Sequence, residues 1–330
     1  MTLPATPLAG TATNQIPIID LSGYRAGDPE RSRATVRELR SALENIGFFV
    51  ITGHSVDWSI VSTAYDETRR FFAQPHDAKQ KIALAADTSD GDRADLLERR
   101  GYIGLEGSSY GVAERGRNNV ESLYLDYEET GRNQWPGNLP GFRERILAVL
   151  VMVDQLARSM LPLYARALDL RDDFFASFFK SPTVGFRLSH YPPASESDSA
   201  SDWGIAPHTD RSFMTLLPTN DVAGLQVRPE GMGWIEAPTV PEAFVVNSGD
   251  ILRRWSNDRF ISTPHRVARP RQDRYAIPYF FGPDGDMMLE TLLTCVNAER
   301  PPRYEPINIR EFDLQFLRKT YKPNDQRLTT

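Results

Sequence analysis

From Thr183 to about residue 300 the chain is cut into short segments separated by Pro and Gly: VGFRLSHYP, MTLLPT, GLQVRP, GWIEAP, AFVVNSGD, FISTPHRVA and RYAIPYFFG. Within them apolar and polar residues tend to alternate, the period of a strand with one buried face. Short strands at this frequency point to an antiparallel sandwich or barrel.

The first half reads differently. Ile16–Leu21 is a short apolar run suited to a strand, and FFVIT (Phe48–Thr52) is a second. Between them Val36, Leu39, Leu43 and Ile46 are spaced 3, 4 and 3, one face of a helix that Gly47 would end. Val61, Tyr65, Thr68 and Phe72 repeat the pattern up to Pro75, so residues 16–120 form an N-terminal α/β region. Asp87–Arg117 is rich in Gly, Asp, Arg and Ser without a steady period and reads as one long loop. Ile146, Val149, Val153, Leu156, Met160 and Leu163 mark a backing helix over 141–168, with Pro162 implying a kink or a restart. Residues 1–15 read as a loose tail, 183–300 as the β core and 301–330 as a C-terminal segment, all within a single domain.

Composition removes several classes. Hydrophobic residues at 40% and charged residues at 25% describe an ordinary globular chain rather than a disordered one. Lys and Arg number 38 against 44 Asp and Glu, a net charge of -6 that offers no attractive field to nucleic acid. The single cysteine, Cys295, excludes an intrachain disulfide and fits a reducing cytoplasm. The first fifteen residues carry no Lys or Arg and no apolar run, unlike a signal peptide. No window approaches ~18 uncharged apolar residues, so no membrane association is expected.

Five histidines are present: His54, His76, His190, His208 and His265. His54 and His76 read as structural. His208 and Asp210 lie two apart, on one face if the backbone is extended, and His265 follows 55 residues after Asp210, held extended by Pro264. Two histidines and a carboxylate arranged facially suit non-haem Fe(II). A His-x-Asp pair also arises by chance, and its context has to decide.

Nine residues past His265, beyond the turn-prone RPRQD, comes Arg274, which a hairpin would fold back. Alternation places Arg274, Ala276, Pro278 and Phe280 on one face, so a guanidinium would point inward to meet either a bidentate carboxylate ligand or an internal Asp or Glu. Arg187, Ser189 and Tyr191 likewise share a face, which lines a polar interior pocket or faces outward.

Taken in chain order, IPIIDL, ENIGFFVITGH, RRFFAQP, NQWPGNLPGFRERI, RLSHYPP, APHTDRSFMTLL, GLQV, VVNSGDILRRWSNDRFISTPHRV and RYAIPYFF resemble the Fe(II)/2-oxoglutarate-dependent dioxygenase superfamily, in its isopenicillin N synthase-like branch. The resemblance spans nearly the whole chain. It implies a mainly β fold with flanking helices, built on a double-stranded β-helix or jelly roll, with Fe(II) held by His208, Asp210 and His265. It implies that 2-oxoglutarate chelates the iron through its 1-carboxylate and 2-keto group, with Arg274 on the distal carboxylate and Tyr191 assisting. Two positions depart from the family pattern: Ala276 stands where the motif has serine, and Ser189 where asparagine is frequent.

The chemistry so implied uses dioxygen to oxidise an unactivated C–H bond of a small organic molecule, releasing succinate and CO2, with a place in secondary metabolism. Hydroxylation is the default outcome; desaturation, cyclisation and epoxidation use the same centre. Candidate substrate contacts are Arg187, Tyr102, Tyr110, Glu121, Tyr124 and Phe280, and an inward Arg187 would call for an anionic group on the substrate. The loop 87–117 and the REFDLQFLRKTY segment are candidate lids. Two other classes compete: a metal-dependent hydrolase on the same trio, and a non-catalytic small-molecule-binding protein on the same fold.

Overall fold

The computed structural model describes residues 15–84, 100–105, 118–195 and 202–320, with side chains to residue 316. Helix α1 is Ser22–Arg25 and α2 is Pro29–Asn45. Asp28 sets the start of α2: its carboxylate accepts the Glu30 and Arg31 N–H groups at 2.9 and 3.0 Å, and Pro29 loses nothing at a first position. Gly47 follows the helix at φ +71, and a Cβ there would stand 2.6 Å from Thr263 Oγ1, so both conformation and space require glycine. Helix α3 is Trp58–Phe72, α4 is His76–Gln80 and α5 is Phe142–Ala167.

The strands are β1 Ile18–Asp20, β2 Phe48–Thr52, β3 Gly101–Ile103, β4 Glu121–Leu125, β5 Pro182–Tyr191, β6 Ile205–His208, β7 Met214–Pro218 and β8 Leu225–Val227. They continue as β9 Ile235–Glu236, β10 Phe244–Ser248, β11 His265–Val267, β12 Arg274–Ala276, β13 Tyr279–Asp284, β14 Met288–Leu289 and β15 Ile307–Asn308. Helices α6, Asp250–Trp255, and α7, Ile309–Thr320, complete the elements used below. A nine-stranded major sheet runs β1-β2-β10-β7-β13-β5-β4-β3, with β12 also paired to β5; a four-stranded minor sheet runs β6-β11-β8-β9. The two sheets are the walls of the jelly roll. The N-terminal strands do not form a separate sheet: β2 pairs with β10 in the major one.

The major sheet's outer face carries the helices. Every stripe residue of α5 named from the sequence is buried, and the helix packs on α2, α3 and β13. Among the described residues it is long and apolar enough to cross a membrane, but that apolar face is spent on the core. Pro162 sits inside one continuous helix and does not restart it. Buried Leu161 and Leu163 flank the proline, and burial of ~1.5–3 kcal/mol for each leucine offsets a helix-interior proline costing ~3 kcal/mol.

Two sequence expectations need correction. The stretch 87–117 is not wholly loop, because Gly101–Ile103 forms β3 against β4; residues 87–99 and 106–117 lie outside the described residues. The turn after β11 does not make a hairpin: β11 pairs with β6 and β8 in the minor sheet, whereas β12 pairs with β5 in the major one. Turn residues reverse the chain but do not choose the sheet that receives it, and here residues 268–273 cross between walls. RYAIPYFFG also splits into β12 and β13 at Pro278, which has no N–H to donate; its carbonyl still accepts the Arg187 N–H at 3.1 Å.

The major sheet is fastened to α5 through Asp154, which accepts Tyr127 Oη at 2.5 Å, Tyr279 Oη at 2.7 Å and Arg158 Nε at 2.8 Å. Asp154→Ala removes the acceptor shared by two tyrosine hydroxyls, leaving them their mutual contact at 3.2 Å, and is expected to cost about 3 kcal/mol in urea unfolding. A loss under about 0.5 kcal/mol would show that the cluster is not a fastening.

Candidate active site

His208 ends β6 and His265 begins β11, and the antiparallel register places the two directly opposite each other. Their rings lie 4.3 Å apart between centroids. Asp210 follows two residues after His208, with its Oδ1 3.9 Å from His208 Nε2 and 3.6 Å from His265 Nε2. All three ligand atoms fall within 4.8 Å of one another, close enough to share one ion at ordinary metal–ligand distances of ~2.0–2.2 Å.

Neighbouring groups fix which atoms are offered. His208 Nδ1 donates to Ala206 O at 2.9 Å and His265 Nδ1 to Thr263 O at 3.1 Å, so each ring presents its Nε2 to the centre. Asp210 Oδ2 is taken by Thr215 Oγ1 at 2.7 Å and Asn247 Nδ2 at 2.8 Å, leaving Oδ1 as the ligand atom. Burial, then the charge of His265, holds the His208 imidazole down to about 3, in the neutral form that binds metals. Burial opposes ionisation of Asp210, but the two imidazoles and the Asn247 amide outweigh it and keep the carboxyl below its usual range. Burial likewise opposes charge on His265, and the Asp210 carboxylate overrides it.

Across the barrel, Arg274 is Cα partner of Tyr191 and Ala276 of Ser189. Arg274 is 5% exposed; its guanidinium lies 5.0 Å over the Tyr191 ring, Nε donates to Val222 O at 3.2 Å, and Nη1 is buried with no hydrogen-bond partner among the described residues. No Asp or Glu among the described residues answers it. Ser189 is fully buried, its Oγ 3.5 Å from Ser122 Oγ on the other side.

The same face carries Arg187, Tyr124 and Phe280. Arg187 is opposite Tyr124, and its guanidinium stands 5.4 Å over the Phe280 ring. Arg187 is 7% exposed, and its charge disfavours protonation of both His208 and His265. Arg187, Ser189 and Tyr191 are all buried, so this face of β5 is not an outward one. An open groove of about 500 Å³, lined by Trp203, Pro207, His208, Thr209, Arg228 and Pro264, leads to the edge of His208. Arg211, next to Asp210, forms an ion pair with Asp313 and so ties α7 to the metal loop.

Tyr102 and Glu121 require correction as substrate contacts. Glu121 is opposite His190, on the helix side of the sheet, where it accepts from Lys79 Nζ at 2.7 Å and from Tyr102 Oη at 2.5 Å. Tyr110 lies outside the described residues. His54 sits in a structural contact, its Nε2 2.9 Å from Glu242 O, and exposed His76 contacts Gln80. Sequence reading missed Thr215, Asn247 and Tyr65. Thr215 and Asn247 are cross-strand partners, and Tyr65, whose hydroxyl donates to Pro218 O at 2.8 Å, stands within the field of Arg274. A polar residue inside an apolar strand, as in MTLL and FVVNS, was the available signal for the first two.

The description "2OG-Fe(II) oxygenase superfamily" matches residues 182–283, and "non-haem dioxygenase in morphine synthesis N-terminal" matches residues 16–138. The 2-oxoglutarate-Fe(II) type oxidoreductase hxnY of Emericella nidulans is 32% identical, covering 93% of this chain and 89% of the relative. The chain belongs to the 2OG-Fe(II) oxygenase superfamily. Such an oxygenase uses Fe(II), 2-oxoglutarate and dioxygen. Proline hydroxylase buaE of Petromyces alliaceus is 29% identical over 92% of this chain and 98% of its own. A full-length Neurospora crassa protein, solved in complex with alpha-KG and thymine, superposes with a TM-score of 0.83 at 25% identity, covering 93% of this chain and 97% of that one.

The donors to Asp210 give a test of the site. Asn247→Ala removes one of the two bonds that hold Oδ2, and iron affinity is expected to fall about 10- to 100-fold in an anaerobic titration. His208→Ala is expected to lose iron altogether; full iron occupancy in that variant would disprove the trio.

Proposed function

We propose that this oxygenase holds Fe(II) with His208, Asp210 and His265, seats the distal carboxylate of 2-oxoglutarate on Arg274, and oxidises a C–H bond of a small molecule bearing an anionic group. The observation that carries the reading is the Arg274 guanidinium, buried beside Tyr191 with Nη1 unpartnered among the described residues. A buried planar cation with an open donor is matched by a carboxylate. A hydrolase on the same metal trio gives that arginine nothing to do.

When bound, Fe(II) with 2-oxoglutarate would supply the oxidising chemistry, with dioxygen as the oxidant and succinate and CO2 as by-products. The chain's own part is placement. Two imidazole Nε2 atoms and one carboxylate oxygen bind on one side, leaving the other side open to ligands. Arg274 and Tyr191 fix the far end of the co-substrate, and Ser189, opposite Ala276, offers the hydroxyl that the Arg-Tyr-Ala sequence lacks. Arg187, with Tyr124 and Phe280 around it, supplies a cation and two ring faces for the substrate. Helix α7, held by Arg211 and Asp313, is suited to covering the site and excluding water. Hydroxylation is the proposed outcome, supported by the likeness to a proline hydroxylase.

Oxygen uptake dependent on both Fe(II) and 2-oxoglutarate is the first test. Arg274→Lys keeps the charge but loses the fork, so KM for 2-oxoglutarate is expected to rise about 10- to 100-fold. An unchanged KM would remove Arg274 from the co-substrate site. Arg187→Gln should leave substrate-free succinate release intact while lowering coupled turnover of carboxylated compounds in a metabolite panel. Equal turnover of carboxylates by that variant would defeat the anionic-substrate reading. Ala276→Ser restores a second hydroxyl and is expected to tighten 2-oxoglutarate; weaker binding would show a pocket rebuilt around alanine.

A further inference from the structure

On the back of the Arg274 seat, away from the iron, is a chain of charges that the reaction as described does not use. His190, between Ser189 and Tyr191 in β5, points to the helix side with both ring nitrogens engaged: Nδ1 lies 2.8 Å from Glu121 Oε1 and Nε2 2.6 Å from Asp273 Oδ1. A carboxylate oxygen only accepts, so both nitrogens must donate and the ring must be an imidazolium. Asp273 immediately precedes Arg274, and the imidazole stacks on Tyr275 at 4.8 Å and 15°. Glu121 is buried and also accepts from Lys79 and Tyr102, and Lys79 is itself 7% exposed.

We propose that the His190 imidazolium is a positioning group for 2-oxoglutarate: it ties Asp273 to Glu121 across the β5–β12 pair and so holds Arg274 and Tyr191 in the geometry that receives the distal carboxylate. This rests on the assignment of Arg274 to that carboxylate. The groups around His190 are Glu121 of β4, Tyr102 of β3, Lys79 of α4, Phe72 and Arg69 of α3, Tyr275 of β12, and Asp273. Arg69 lies 5.7 Å over the Tyr275 ring and is itself paired with Asp66. Lys79 and His190 balance Glu121 and Asp273, so the network is neutral only while His190 keeps its proton.

Loss of that proton turns one nitrogen into a lone pair facing a carboxylate. The contact that opens is the one to Asp273, whose side chain is 55% exposed and finds water at once; buried Glu121 has no such recourse. Burial disfavours the His190 cation, but its two carboxylate partners outweigh burial and raise its pKa above the ordinary histidine value. A raised value places the tie fully on below pH ~6.5 and switches it off as pH climbs through the folded-state pKa.

The test is anaerobic titration of the Fe(II) holoenzyme with 2-oxoglutarate, read by the metal-to-ligand absorption band, from about pH 6 to about pH 9. The wild-type Kd is expected to rise roughly threefold to tenfold with pH, in step with the His190 ring signal in NMR. His190→Phe keeps the stack on Tyr275 and leaves Glu121 with Lys79 and Tyr102; its Kd should be flat at the weak, high-pH value. Asp273→Asn, at an exposed position, should move the step to lower pH and keeps the idea testable if the phenylalanine variant does not fold. A flat wild-type profile, or a step that survives in His190→Phe, would overturn the proposal. Arg274→Lys separates the two readings: weakening by Arg274→Lys with no effect of His190→Phe refutes the tie alone, while an unaffected Arg274→Lys refutes the seat beneath it.

Discussion

The antiparallel pairing of β11 with β6, in the register that sets His265 opposite His208, is the constraint on which the rest depends. A slip of β11 by one residue would turn His265 to the outside of the minor sheet while His208 stayed within, and dissolve the cluster. The register is held from both edges, because β8 pairs with β11 on its other side, with His265 opposite Val227. The carboxylate is fixed from the opposite wall, where the cross-strand pair Thr215 and Asn247 holds Asp210 Oδ2. The minor sheet thus brings the two imidazoles together, and the major sheet orients the carboxylate.

Strand β5 organises the other half of the site by keeping its two faces chemically separate. Arg187, Ser189 and Tyr191 face the barrel interior, while Phe186, Leu188 and His190 face the helices. Leu188 and Phe186 extend the apolar core, but His190 places a charge there, and the surrounding elements answer it with Glu121, which it shares with Lys79, and Asp273. Removing a partner from the buried Lys79–Glu121–His190 part of this network is expensive, whereas Asp273 is 55% exposed. Arg274 has a buried donor without a partner among the described residues, a cost of ~1–3 kcal/mol that a bound carboxylate would relieve.

The residues that were legible in the sequence were those whose role follows from spacing along one strand or helix. The helical stripe from Ile146 to Leu163 and the shared face of Arg274 and Ala276 depend on local periodicity, and the structure keeps both, whereas β6 ends at His208 and Asp210 reaches the trio from beyond the strand. Glu121 and Tyr102 were not legible. Alternation in NVESLYLDY tells which residues share a face but not which face is inside, and the register of β4 on β5 put Tyr124 beside Arg187 and Glu121 beside His190. Thr215 and Asn247 escaped for a related reason: each is a single polar residue in a buried strand, and its meaning appears only when β7 and β10 lie side by side.

By itself the sequence determined the class of chain: short Pro- and Gly-punctuated strands after Thr183, amphipathic helices before it, and a His-x-Asp with a distant histidine. These are decided by local backbone preference and by the need to bury apolar residues at a fixed period. Tertiary structure alone decided that residues 268–273 cross from one wall to the other rather than closing a hairpin, which sets Arg274 across the barrel from His265. It alone also decided that His190 is doubly bonded to carboxylates 69 and 83 residues away. Pairing partners and charge balance between distant segments depend on which surfaces meet, and no periodicity along a single chain carries that information.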